Sequence, residues 1–148
     1  MAFTCRKESL ASRRILLAAP LIQASSPAGE FAARLVAEGG NAIELRADAL
    51  CARDRLSIKK LAKLAAELRA QAPRAALILT PRSRREGGVA TLSTARRRAL
   101  IESSLEWADA IDVELRSARF LQWAAPRIAQ AGKLLILSWH DFRFTPSR

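Results

Sequence analysis

Apolar runs of strand length alternate with amphipathic stretches along the whole chain. The runs cover residues 15–22, 42–46, 75–80, 110–115 and 134–139. Residues that favour the first turn of a helix stand between the runs: Ser26 with Pro27, Ser57, Ser93 and Ser117. After Ser57, apolar residues recur every three or four positions, which is the spacing of one helix face. The pattern therefore predicts five strands joined by four helices, in the order β-α-β-α-β-α-β-α-β.

Strands that are apolar almost throughout and are joined by single helices are typical of a parallel sheet buried on both faces. The sequence thus predicts an α/β fold with right-handed crossovers. No Gly/Ser-rich linker or block of charge divides the chain. We therefore expect one domain over residues 1–148, with a basic amino-terminal segment at 1–14.

Composition supports one compact domain, because half of the 148 residues are hydrophobic. Lys and Arg number 25 against 14 Asp and Glu, for a net charge of +11, so acidic partners are plausible. Cys5 and Cys51 are far apart, and the chain has a single histidine. We therefore expect no metal site and no disulfide framework, and a reducing cytoplasmic location.

The sequence contains no apolar run of the roughly 20 residues that a membrane helix needs. Residues 12–22, with Arg13 and Arg14 before an apolar run, bear a slight likeness to an export signal. The run is short and contains Pro20, so a buried first strand is the better interpretation.

Ionisable residues collect where the predicted strands end. They are Glu44, Arg46, Arg82, Asp112, Glu114 and His140. The carboxyl ends of parallel strands form the edge at which active sites lie in α/β folds. Charged side chains are costly there unless they face one another or a ligand. No glycine-rich nucleotide motif follows any strand, so a nucleotide cofactor has no support.

Four segments in chain order carry a resemblance to a known family. They are ELRAD at 44–48, TPRSRREGG at 80–88, IDVEL at 111–115, and SWHDF at 138–142 followed by Thr145 and Pro146. They resemble the strand-end motifs of type I 3-dehydroquinate dehydratase. The resemblance implies the first five strands and four helices of a parallel (β/α)8 TIM barrel. It also implies a lyase of the shikimate pathway that converts 3-dehydroquinate to 3-dehydroshikimate and water, with neither a metal nor an organic cofactor.

The same resemblance implies roles for the strand-end residues. His140 would be the general acid/base, for which imidazole is suited near neutral pH. Glu114 would orient and support His140, and Glu86 would brace its loop or Arg82. The implied substrate contacts are Glu44, Arg46 and Arg82.

The family's nucleophile is a lysine that forms a Schiff base with the substrate, on the strand after the His-Asp-Phe motif. The chain ends at Arg148, before that strand, and none of its five lysines is expected to replace it. We therefore expect an inactive fragment with the first half of an active site. Its expected partners are 3-dehydroquinate and either further copies of itself or a missing carboxyl-terminal half.

Alternatives remain at this point. Glu44 and Arg46 could form an internal ion pair, His140 could be a satisfied structural histidine, and residues 82–85 could be a solvated loop. A basic nucleic-acid-binding or assembly module is a second hypothesis, based on residues 82–85 and 96–98. Against it, no aromatic residues are interleaved with these arginines. A third hypothesis is weak binding of dehydroquinate without turnover.

Overall fold

Five parallel strands form one sheet, with the strands in chain order. The computed structural model describes residues 17–24, 27–53 and 55–143. Within them the strands are β1 (Ala18–Leu21), β2 (Ala42–Arg46), β3 (Ala76–Thr80), β4 (Ala110–Glu114) and β5 (Leu134–Ser138). Each strand pairs in parallel with the next one. This is the strand order of a β/α barrel, whereas a doubly wound sheet reverses its order partway. The predicted parallel α/β fold is confirmed.

Helices connect the strands and cover one face of the sheet. In the described ranges they are α1 (Ala28–Ala37), α2 (Ala47–Arg53), α3 (Ile58–Gln71), α4 (Thr94–Ser104) and α5 (Ala118–Gln130). Ile43, Leu77 and Ile111 point from the sheet into the main apolar core, which also contains Leu68 of α3 and Leu100 of α4. Alternate residues of each strand therefore anchor the helical layer.

The opposite face of the sheet changes character along the strands. At its amino end it is small and apolar, with Ala42, Ala76 and Ala110 in a separate buried cluster. Two or four positions later on the same face, the strands carry charged residues such as Glu44 of β2 and Asp112 of β4. The fold therefore gathers charge at the carboxyl edge of the sheet.

One predicted feature is wrong, because the chain has a fifth helix. Helix α2 follows β2 directly, and the sequence pattern did not indicate it. With seven residues it has fewer than two turns, which is too short to show a helical period. Its buried Ala47, Ala49 and Leu50 hold it against the sheet.

The boundaries of the other elements differ by a few residues. Leu17 and Ile22 flank β1 and are exposed, and Leu115 lies in a turn after β4. The ends of the strands lie outside the core, so an apolar residue there does not indicate that it is paired in the sheet. Ser26 and the basic segment 1–14 lie outside the described residues. No helix in the described part of the chain is both long and apolar enough to cross a membrane.

Candidate active site

Arg82 lies at the centre of a polar cluster at the carboxyl edge of the sheet. It follows β3 by two residues and is buried. Its Nη1 donates a hydrogen bond to Ser138 Oγ at 2.7 Å and lies 3.1 Å from His140 Nδ1. Its Nη2 donates to Asp112 Oδ2 at 3.4 Å. One guanidinium group thus joins the ends of β3, β4 and β5.

Glu86 is the carboxylate beside His140. Its buried Oε2 accepts a hydrogen bond from the His140 backbone N–H at 3.0 Å and lies 3.2 Å from His140 Nδ1. Arg82 Nη1 is 3.9 Å from the same oxygen. A protonated Nδ1 donates to Glu86, whereas an unprotonated Nδ1 accepts from Arg82. The two neighbours therefore accommodate both protonation states of Nδ1.

The position of Glu114 differs from the one expected from the resemblance. Its Oε1 accepts a hydrogen bond from the Ser83 backbone N–H at 2.6 Å, and its Oε2 accepts one from Arg97 Nη2 at 3.2 Å. Glu114 therefore holds the loop after β3, and the carboxylate within hydrogen-bond distance of His140 is that of Glu86. The reason is the 3₁₀ turn at Arg84–Glu86, which brings Glu86 to the end of β5.

Two glycines let the loop after β3 fold back on itself. Gly87 has a φ of +84°, and a Cβ there would lie 2.7 Å from the Phe142 ring. A Cβ on Gly88 would lie 2.6 Å from the carbonyl oxygens of Arg82 and Ser83. The Gly87–Gly88 pair therefore permits the close packing that places Glu86.

Arg46 is engaged in a two-point ion pair with Asp48. Arg46 Nε donates to Oδ1 at 3.0 Å and Nη2 donates to Oδ2 at 2.9 Å. Asp48 is fully buried and also accepts a hydrogen bond from the Val89 backbone N–H at 2.8 Å. The hydrogen bond to Asp48 raises the pKa of Arg46, against the opposing effect of burial. The pair ties β2 to the loop after β3.

Glu44 is the cluster member with a carboxylate open to a ligand. It lies half-buried on the same sheet face as Arg46. It forms no ion pair with Arg46 and no hydrogen bond within the described residues. Its negative charge contributes to raising the pKa of Arg46 and of Asp112, so Glu44 interacts electrostatically with the cluster.

Asp112 and Ser138 form a contact that the sequence interpretation gave no role. Ser138 Oγ donates to Asp112 Oδ1 at 2.7 Å. Burial raises the pKa of Asp112, while the Ser138 hydroxyl and Arg82 oppose that rise. The sequence did contain one signal for Asp112: the two-residue period of β4 puts it on the same sheet face as Glu114 and therefore in the polar cluster. Ser138 gave no sequence signal of this contact, because serine is common at the end of a strand.

The raised pKa of Asp112 predicts a pH-dependent stability. The folded chain keeps this proton to higher pH than the unfolded chain, so between the two pKa values it binds more protons. The free energy of unfolding contributed by Asp112 therefore falls as pH rises through that window. We expect the melting temperature of Asp112→Asn, which cannot ionise, minus that of the unsubstituted chain to increase as pH rises from about 4. The exposed Glu102→Gln serves as control, and a pH-independent difference would contradict the raised pKa.

The described lysines lie away from the cluster. Lys59, Lys60 and Lys63 belong to the outer helix α3, and Lys133 precedes β5 at the amino edge of the sheet. Lys7 lies outside the described residues. In the described ranges, no three His, Cys, Asp or Glu side chains are close enough together to hold a metal ion.

Parallel strands in chain order, with a polar cluster at their carboxyl edge, are the features of β/α-barrel enzymes. A sequence profile of the type I 3-dehydroquinase family matches residues 18–148. The chain therefore belongs to the type I 3-dehydroquinase family.

Individual relatives agree with this assignment. A 3-dehydroquinate dehydratase of Methanothermobacter thermautotrophicus is 31% identical over 129 residues, which are 86% of this chain and 53% of that protein. The crystal structure of the enzyme from Aquifex aeolicus matches with a TM-score of 0.76 and 30% identity, over 90% of this chain and 56% of the other. That from Geobacillus kaustophilus matches with a TM-score of 0.78 and 26% identity, over 90% and 53%. The chain spans about half the length of these relatives.

Proposed function

We propose that this chain supplies the acid–base and part of the substrate-binding groups of a 3-dehydroquinate dehydratase. The reaction removes water from 3-dehydroquinate and yields 3-dehydroshikimate. The observation that supports it is the contact of His140 with both Glu86 and Arg82, at the carboxyl edge of a dehydroquinase-family sheet. Shikimate-pathway chemistry and a cytoplasmic location follow as part of the proposal, the latter supported by the free thiol of Cys51.

His140 is the proposed proton carrier. Its side chain is 40% exposed, and its Nε2 forms no hydrogen bond within the described residues. Nε2 can therefore take the proton from the carbon next to the substrate carbonyl and return it to the departing hydroxyl. In the neutral ring that takes a proton at Nε2, Nδ1 carries the hydrogen and donates it to Glu86, and Glu86 also stabilises the imidazolium that forms. Glu86 thus takes the positioning role that the sequence gave to Glu114.

The proposed substrate contacts differ in how many of their hydrogen-bonding atoms are already bound within the protein. Glu44 has an open carboxylate that can accept hydrogen bonds from substrate hydroxyls. Arg82 holds the cluster together and can share its charge with a bound carbonyl or carboxylate. Arg46 is tied to Asp48, so its proposed contribution is through the loop after β3 and any free edge of its guanidinium.

A Schiff base is not part of what we propose for the 148 residues themselves. The described lysines lie on α3 and at the opposite edge of the sheet, so no amine faces His140 from those residues. Without the imine the carbon next to the carbonyl is far less acidic. We therefore propose binding without detectable turnover for these 148 residues alone.

We also propose that the two edge strands of the sheet, β1 and β5, associate with further strands. Within the described residues, β1 and β5 each pair with one neighbouring strand only. Leu137 of β5 and the nearby Trp139 are substantially exposed. Open edges and exposed apolar residues favour association with further strands, either of a second copy or of a longer protein.

The nucleic-acid hypothesis loses its main support in the structure. Arg97 is buried against Glu114, and Arg96 donates to the Leu56 carbonyl oxygen at 3.4 Å. The run at 96–98 is therefore not a continuous exposed basic strip.

Calorimetric titration with 3-dehydroquinate, together with borohydride, tests the proposed function. We expect saturable binding and no reduced adduct on any of the five lysines by mass spectrometry. Glu44→Gln should weaken binding about tenfold or more, since it removes a charged hydrogen-bond acceptor. Glu102→Gln makes the same charge change on the exposed side of α4 and should leave binding unchanged. Equal losses in both variants would overturn the proposed binding site, and an adduct accompanied by turnover would overturn the proposal of binding without turnover.

A further inference from the structure

A cavity of about 550 Å³ lies between the amino ends of α4 and α5. Its volume is in the range of small-molecule sites. Arginines dominate its lining, and none of the described lining residues is a carboxylate. The arginines are Arg97, Arg98, Arg116 and Arg119.

Both helices direct positive charge towards this cavity. Neither α4 nor α5 has an acidic residue in its first turn, where one would offset the positive end of the helix dipole. Ser117, the residue before α5, makes no side-chain hydrogen bond to the helix. Arg119 adds a further positive charge to that same turn. The backbone N–H groups at the start of α5 are therefore suited to an anion.

Arg97 provides a buried donor at the same cavity. The residue is only 8% exposed, and its Nη2 is bound to Glu114. Its Nε is buried without a hydrogen-bond partner within the described residues. A buried donor without a partner is unfavourable, so Arg97 has an unmet hydrogen bond at the wall of the cavity.

Aromatic rings hold two of the guanidinium groups in place before any ligand binds. The Arg97 guanidinium lies 4.3 Å from the centre of the Phe120 ring, and that of Arg98 lies 5.0 Å from the Trp123 ring. Arg98 and Arg119 are exposed and form no ion pair with a described residue. Arg98 and Arg119 can therefore pair with a ligand. The guanidinium groups of Arg97 and Arg98 are already held by the rings, so they lose little conformational freedom on binding.

We propose that this cavity binds a small anion that carries phosphoryl groups. Several guanidinium groups with helix N–H donors match the many oxygens and the multiple charge of a phosphate better than a single carboxylate. A concave site of this size fits a small molecule. An extended nucleic-acid strand, by contrast, could not reach the buried Arg97. Arg116 also pairs with Asp141 and lies 3.8 Å from Glu86, but Arg98 and Arg119 form no ion pair with the Arg82–Glu86–His140 cluster, so a test on those two is independent of the proposed dehydratase function.

Calorimetric titration of the 148-residue chain with pyrophosphate at constant ionic strength tests the site. We expect Arg98→Gln combined with Arg119→Gln to weaken binding at least about tenfold, since two charged partners are lost. The matched control combines Arg53→Gln with Arg74→Gln, two exposed arginines outside the cavity. It removes the same net charge and should leave affinity within about twofold, because distant exposed charges are screened.

Equal losses in the two double variants would show that only the net charge of +11 attracts the anion, and would overturn the proposal. Absence of pyrophosphate binding to the unsubstituted chain would do the same. Amide NMR gives a second readout: residues 118–120 should shift in the unsubstituted chain on addition of pyrophosphate, and unchanged signals there would contradict the site. A single-stranded RNA that binds more tightly than pyrophosphate and is weakened equally in both double variants would favour nonspecific nucleic-acid binding instead.

Discussion

Replacement of Arg82 by alanine is expected to lower the free energy of unfolding by about 3–5 kcal/mol, because it leaves buried carboxylates without their positive partner. Asp112 and Glu86 both lie within 4 Å of its guanidinium and are almost fully buried. Removal of the side chain also deprives the Ser138 hydroxyl of a donor and takes away a neighbour of His140 Nδ1. Urea unfolding near neutral pH measures the effect.

The neighbouring Arg85 offers a matched control for this experiment. It lies in the 3₁₀ turn of the same loop and is exposed. We expect Arg85→Ala to change the free energy of unfolding by less than about 1 kcal/mol. The Arg82→Ala deficit should shrink in acid, because protonated carboxyl groups no longer require the guanidinium. A deficit that is small at neutral pH would show that Arg82 does not hold the cluster together.

Asp48→Ala is expected to have a comparable effect, of about 3–5 kcal/mol, since it breaks a buried ion pair and removes one partner only. Three hydrogen bonds end on the Asp48 carboxylate, two from Arg46 and one from the Val89 N–H. Its loss leaves Arg46 unpaired beside Glu44 and frees the loop that carries Glu86. Thermal or urea unfolding gives the stability.

An exposed ion pair provides the comparison for Asp48. Glu38 accepts from Arg34 on the outside of α1, where both side chains are mostly in solvent. Glu38→Ala should lower the free energy of unfolding by no more than about 0.5 kcal/mol. If Asp48→Ala were as mild as Glu38→Ala, the buried pair would not be what fixes the loop after β3.

The central strands β2 to β4 could be predicted because burial on both faces leaves apolar runs. Residues 42–46 and 110–114 keep that pattern even where Glu44 and Asp112 interrupt it. Helix α2 could not be predicted, because its seven residues are held by contact with the sheet and show no period of their own. Strand ends were misplaced for a related reason, since Leu115 and Ile22 are apolar but exposed.

The position of the candidate site residues at one sheet edge could be predicted, but the side chains they contact could not. Strand-end position placed Glu44, Arg82 and His140 at one edge of the sheet. Which carboxylate meets His140 depends on how the loop after β3 folds, and a 3₁₀ turn with two glycines decides it in favour of Glu86. Nothing in the local sequence distinguishes this outcome from the expected contact with Glu114.

Asp48 illustrates the same limit. It stands in the ELRAD segment, yet its role depends on Val89, which is 41 residues away in the chain. A buried carboxylate whose partners come from a distant loop gives no sequence signal beyond its own identity. Spacing alone therefore could not distinguish a substrate-binding Arg46 from one held by Asp48.

We propose His140, held between Glu86 and Arg82, as the group that contacts bound 3-dehydroquinate. His140 is the only histidine of the chain, so its imidazole signals in an NMR spectrum need no further assignment. Titration with 3-dehydroquinate should shift these ring signals saturably in the unsubstituted chain and in Arg85→Ala, with the same midpoint that calorimetry gives for binding. Imidazole signals that stay unchanged at concentrations where calorimetry reports saturation would contradict the account.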